Sequence, residues 1–160
     1  MSSILKLTPG GVTSWTTLGF TVSDFNSLAN GSFVLASSAT DNSSNLDLFA
    51  DASFIATVGG TTTAGAYLAL WGLPLNQDGT TYGDTIGNGA VLPGANYLLA
   101  TAQVKVGVIS GNTIVGTFQR FALPNRRTFK YGISQHVGVA FNASAAVTAV
   151  FQTTNLNLNG

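Results

Sequence analysis

The 160-residue sequence has no cysteine and no glutamate, a single histidine, and so few lysines, arginines and aspartates that charged residues make up 8% of it. Without cysteine, neither a disulfide framework nor a thiolate metal site is available. With one histidine, His136, and six acidic residues, general acid–base catalysis has few candidates, and no G-x-S-x-G elbow is present to hold a nucleophile. Long apolar runs are missing too, and none approaches the ~20 residues a membrane helix requires. The first residues carry Lys6 inside their only short apolar patch and do not read as a secretory signal. The expected setting is therefore the cytoplasm, at least until the chain joins a larger assembly. The formal net charge is zero, which argues against nucleic acid, a partner that demands a basic face.

The shortage of charge also bears on the surface. Ordinary soluble domains carry about 25% charged residues, mostly on the outside. Here either partners cover much of the exterior or Ser, Thr, Asn and Gly solvate it. A mean hydropathy of +0.32 favours the first reading.

What is present is alternation. Leu46–Val58 places apolar residues at even positions, Leu46, Leu48, Ala50, Ala52, Phe54 and Ala56, as a half-buried strand does. Phe49 and Ile55 break the rule and point to the other face, so on a charge-poor sheet they are candidate contact residues. Tyr67–Leu75 is apolar on both parities, the pattern of a strand buried on both faces. Further strands are expected at Trp15–Val22, Ser32–Ser37, Asn96–Ile109, Thr113–Leu123, Thr128–Ser134, Val137–Asn142 and Ala146–Thr153. A hairpin turn is expected at Ser110-Gly111-Asn112. Ser23–Leu28 starts with a helix-cap signal and allows about one helical turn before Asn30-Gly31. The sum is an all-β sandwich of about eight to ten strands in one domain, with jelly roll the preferred variant. Its bounds are an N-terminal arm at 1–14, the jelly-roll body at 15–154 and a C-terminal tail at 155–160. The arm, carrying Ile4, Leu5 and Leu7, reaches a neighbouring subunit, or else is a frayed end. The tail alternates Asn with Leu156 and Leu158, which suits a sheet edge.

Little of this sequence suits chemistry. Asp47 and Asp51 share strand parity and read as a solvated face, although two carboxylates with backbone carbonyls also suit Ca²⁺. Gly87-Asn88-Gly89 lacks the lysine of a phosphate loop. Arg126 and Arg127, with Arg120 and Lys130, form the only basic cluster, and Arg126 and Arg127 suit ion pairs between subunits. Neither a metal nor a cofactor is called for.

Two groups of segments are similar to a known family. The first comprises Asp24-Phe25-Asn26-Ser27-Leu28-Ala29-Asn30-Gly31, Asp41-Asn42-Ser43-Ser44, and the strand that ends in the Asp78-Gly79-Thr80 turn with Tyr82. The second comprises Leu123-Pro124-Asn125-Arg126-Arg127-Thr128-Phe129-Lys130-Tyr131 and Gly138-Val139-Ala140-Phe141-Asn142-Ala143-Ser144. In order and spacing they resemble the head decoration (cement) proteins of tailed bacteriophages over about residues 23–154. Departures at Asn125-Arg126 and Ala145-Ala146 fall in turns. The resemblance implies a non-enzymatic jelly-roll subunit that needs no cofactor and forms homotrimers. It implies a place on the outer capsid surface of the virion, where the subunit stabilises the shell by bridging neighbouring major capsid proteins. The alternative is a carbohydrate-binding jelly roll, with Trp15, Trp71, Tyr67, Tyr82 and Tyr97 as a stacking platform.

Overall fold

A computed structural model describes residues 4–12, 14, 16–106, 112–124, 127–145 and 147–159. The strands are β1 (Ile4–Pro9), β2 (Thr16–Thr17), β3 (Phe33–Leu35), β4 (Thr40–Asp41), β5 (Phe49–Thr57) and β6 (Tyr67–Pro74), then β7 (Leu98–Gln103), β8 (Lys105–Val106), β9 (Thr113–Ala122), β10 (Thr128–His136) and β11 (Thr148–Asn159). They make two antiparallel sheets. One runs β1-β11-β5-β9-β8 with β2 also on β11, and the other runs β3-β10-β6-β7 with β4 also on β10.

The pairings nest. Outermost, β1 pairs with β11; then β3 with β10, β5 with β9, and innermost β6 with β7. A long hairpin folded over on itself in this way is a jelly roll, and it closes a core between two sheets. The nesting also dictates that the first and last strands are partners, so both ends of the chain leave the sandwich together.

Alternation does what period two requires from Phe49 on, whereas Leu46, expected inward, precedes the strand and is exposed at φ +54°. Along β5, Ala50, Ala52, Phe54 and Ala56 are buried while Phe49, Asp51, Ser53, Ile55 and Thr57 are partly exposed. Between the sheets, Phe25 packs on Phe54 (centroids 5.3 Å apart) and Tyr131 on Phe129 and Phe151 (4.9 and 5.4 Å). At 25 cal/mol per Å², each fully buried aromatic of this kind is worth about 2–3 kcal/mol.

The strand β6 is buried on both faces, as its sequence predicts, and the cause is the segment that follows it. Leu68 and Leu70 enter the main core, whereas Ala69, Trp71 and Leu73 join Phe33 in a second cluster on the outer face. Tyr82, Ile86 and Tyr97 pack over that cluster. The 75–97 connection is thus a strap across the outside of the sheet. It is held by a tight turn, in which Asp78 accepts the N–H groups of Thr80 and Thr81 (both 2.9 Å) and the Thr81 hydroxyl. These bonds hold the Asp78 carboxyl down at about 2. At its far side the Gly87-Asn88-Gly89 triplet, no phosphate loop, closes the edge of β3. Gly89 and Phe33 exchange backbone bonds (2.7 and 2.9 Å), and Asn88 Oδ1 accepts Leu35 N–H (2.7 Å).

Several expected strands differ. Among the described residues of Trp15–Val22 only Thr16–Thr17 are strand, because Gly19 at φ +79° turns the chain against Ser38. Asn96–Ile109 is not one strand over its described residues, 96–106: β7 belongs to one sheet and β8 to the other, with the switch at Val104. Ser110-Gly111 of the expected hairpin turn lie outside the described residues. Val137–Asn142 makes one isolated bridge, Phe141 to Val58. The helical turn is a 3₁₀ turn at Val22–Phe25, where Thr21 N–H donates to Asp24 (3.3 Å).

Candidate functional site

Both terminal segments form one element. β1 lies antiparallel to the end of β11 in the register Leu5↔Leu158, Lys6↔Asn157 and Leu7↔Leu156, with Ile4 opposite Asn159. β5 pairs with β11 only as far as Thr154, opposite Phe49, so among the described strands residues 155–159 pair with β1 alone, as a ribbon. Strand parity groups Leu5, Leu7, Leu156 and Leu158 together. Their side chains, and that of Ile4, lie outside the described residues.

The root of the ribbon is built by residues that sequence reasoning assigned otherwise. Asp47 is not part of a solvated strand face: it precedes β5, is buried, and accepts Gly11 N–H through both carboxylate oxygens (3.0 and 2.9 Å). Asn42, buried beside it, accepts Asp47 N–H (2.9 Å) and donates to Asp47 C=O (2.8 Å). Thr153 completes the clamp. Its Oγ1 accepts Val12 N–H (2.8 Å), and its backbone accepts Gly10 N–H (3.0 Å) and donates to Val12 C=O (2.8 Å). A Cβ on Gly10 would collide with Thr153 Oγ1 and Asp47, which is why glycine stands there. The Asx-rich run Asp41–Asp47 was the available signal, since such residues bond to nearby backbone.

Phe49 and Ile55 both lie on the outward face of β5, partly buried, as their parity requires. Six positions along one strand separate them by about 20 Å, so they are two points and not one patch. Asp51, between them, accepts Arg120 N–H (2.8 Å) at a bulge where Arg120 adopts φ +44°. Asp47 and Asp51 therefore hold backbone in separate places. Among the described residues no three His, Asp or Glu side chains gather as a metal site.

The basic cluster is dispersed. Arg126 lies outside the described residues. Lys130 rests over the Tyr82 ring (5.0 Å). Arg127 is exposed where two clefts meet, one of about 320 Å³ lined by Pro74, Asn96, Tyr97 and Leu99, the other of about 370 Å³ lined by Asn76, Gln77 and Thr128.

Among the described residues, the aromatics Trp71, Tyr67 and Tyr82 do not form an open platform, and Tyr97 lines the first of those clefts. Trp71 is 7% exposed and donates its Nε1–H to Ser134 Oγ (3.1 Å). Tyr67 stacks on His136 (4.5 Å, 9°), and Tyr82 lies under Lys130. Trp15 lies outside the described residues. His136 is the last residue of β10 and not part of a polar turn. Its Nε2 lies 3.1 Å from Ser134 Oγ, and desolvation lowers its pKa. Ser134 is completely buried, so this serine–histidine contact has no access to a substrate. No protein-family model, curated protein sequence or solved structure matches this chain.

Proposed function

We infer that the chain is a structural virion protein that decorates the outer surface of a phage capsid. It stabilises the shell by bridging neighbouring major capsid proteins, as a homotrimer, with no enzymatic activity and no nucleic-acid or membrane partner. The observation that carries the reading is the pairing of the two chain ends into one clamped ribbon, on a jelly roll whose surface is poor in charge. An isolated two-stranded ribbon is only marginally stable in water. One whose leucines fall at paired positions fits an element that completes itself against another protein. Many copies bound together need only weak individual contacts.

The test is co-sedimentation of the purified chain with expanded, undecorated phage heads. Saturable binding supports the reading, provided that removing residues 1–9 abolishes it and that decorated heads burst at a higher temperature. A chain that stays in the supernatant at every head concentration sinks it.

A second reading, carbohydrate binding, draws on the cleft at Tyr97 and Arg127. Its aromatic ring, amide and guanidinium suit a sugar. Titration with neutral and acidic oligosaccharides, followed through the Tyr97 ring resonances, decides it.

A further inference from the structure

Sheet edges invite pairing with other chains, and proteins guard them with charge, proline, short strands or a covering loop. Here almost every edge is guarded. β1 carries Lys6 and Pro9, and β8 carries Lys105. β3 is closed by Asn88 and Gly89, β4 contains Asp41, and β2 is two residues long. The exception is β7, Leu98–Gln103, which has neither charge nor proline and pairs only with β6 among the described residues. A bulge opposite Leu70/Trp71 disturbs its beginning, leaving Ala100–Gln103 regular.

The direction of its free backbone groups follows from the ladder. Val104 N–H donates to Ala66 C=O (3.1 Å), and the same register sets Ala102 opposite Leu68 and Ala100 opposite Leu70. In an antiparallel pair alternate residues point their N–H and C=O groups at the partner. Residues 100, 102 and 104 therefore face β6, and Thr101 and Gln103 point theirs outward. Along this edge lies a groove of about 520 Å³, lined by Thr101, Gln103, Lys105, Val115, Thr117 and Gln119.

We propose that the β7 edge pairs antiparallel with the β7 edge of a second copy of this chain, across a two-fold axis at Ala102. Thr101 and Gln103 of one copy exchange N–H···O=C bonds with Gln103 and Thr101 of the other. The occupant is a second copy because two-fold symmetry makes an antiparallel strand pair complementary to itself, and this strand has no charge to repel its own image. The register that uses the outward groups sets a hydroxyl opposite a carboxamide. It also sets Ala102 opposite Ala102 at the close, non-hydrogen-bonded position, where the small alanine side chains meet without a clash. So short an edge buries less than the ~800 Å² per partner of a stable interface, so the pair forms at high local concentration.

Light scattering on the free chain, from micromolar to millimolar concentration, tests this without any capsid. The expected mass rises to an even multiple of 16.4 kDa. Thr101→Pro halves it with an unchanged far-ultraviolet circular dichroism spectrum, because the ladder to β6 does not use the lost N–H. A homotrimer joined by other surfaces would show the same halving, from six chains to three. Two double variants stand in if the proline variant does not fold. Thr101→Lys with Gln103→Lys opposes like charges and halves the mass, whereas Thr101→Lys with Gln103→Asp opposes unlike charges and keeps it. A chain that never reaches an even multiple overturns the proposal. So does an assembly whose mass the Lys/Lys variant leaves unchanged.

Discussion

Tyr131 has a ring well placed between Phe129 and Phe151 and a hydroxyl that is not. The side chain is completely buried, burial pushes its ionisation well above the usual tyrosine range, and the OH has no hydrogen-bond partner in the described structure. A buried unpaired hydroxyl costs roughly 1–3 kcal/mol. Tyr131→Phe keeps the ring and removes the cost, so the urea midpoint is expected to rise by an amount equivalent to about 1 kcal/mol or more. A lowered midpoint would mean that the hydroxyl is satisfied. His136 gives a second prediction at this scale. Desolvation by burial lowers its pKa below the ordinary histidine value of 6.5, so the folded chain binds the proton less well than the unfolded chain. Stability is then full above pH 6.5 and declines as pH falls through that value, levelling off below the folded pKa. His136→Phe, which keeps a ring on Tyr67, should flatten this decline between pH 7 and 5. Denaturant midpoints across that range check it. The acid limb below pH 4 should persist, because Asp41 and Asp78, both held low by hydrogen bonds, titrate there.

Among the elements, the clamp at the ribbon root makes the sharpest case. Gly10→Ala forces a methyl into Thr153 and Asp47, at a cost of about 1–3 kcal/mol. Asp47→Ala removes the buried carboxylate that accepts Gly11 N–H twice, and losing such a charged hydrogen-bond partner costs a similar ~1.5–3 kcal/mol. Both break one latch, so the double variant should lose clearly less than the sum of the two. Additive losses in chemical denaturation would show that they act on separate structures. The same elements show how much the sequence disclosed. β5 and β6 were legible because burial follows parity, and parity is written in residue order. The turn at Asp78 was legible from Asp-Gly. The split of 96–109 at Val104 was not, since a strand that changes sheets keeps its alternation. Nor was the role of Asp47, which depends on Gly11 across 36 positions of sequence. The candidate contacts fared unevenly for the same reason. Period two placed Phe49 and Ile55 outward and their spacing sets them far apart, but only the register shows that the two termini meet.

For the whole molecule, the shortage of charge makes a prediction that separates this kind of binding from an electrostatic kind. Six cations and six aspartates are spread over the chain, and several aspartates are already engaged with backbone N–H groups, as at Asp47, Asp51 and Asp78. Contacts made by such a surface gain little from Coulomb attraction and depend on apolar burial and backbone pairing, which salt does not screen. Binding to undecorated heads should therefore change by less than about threefold between low and high sodium chloride, whereas a phosphate-directed partner would lose about 10³ or more. Sulfate, which is excluded from protein surface, should strengthen it. Sedimentation isotherms in the two salts separate the cases. A steep loss in sodium chloride would place the binding energy on Arg120, Arg127 and Lys130. A flat response, with loss on truncation of residues 1–9, would place it on the ribbon.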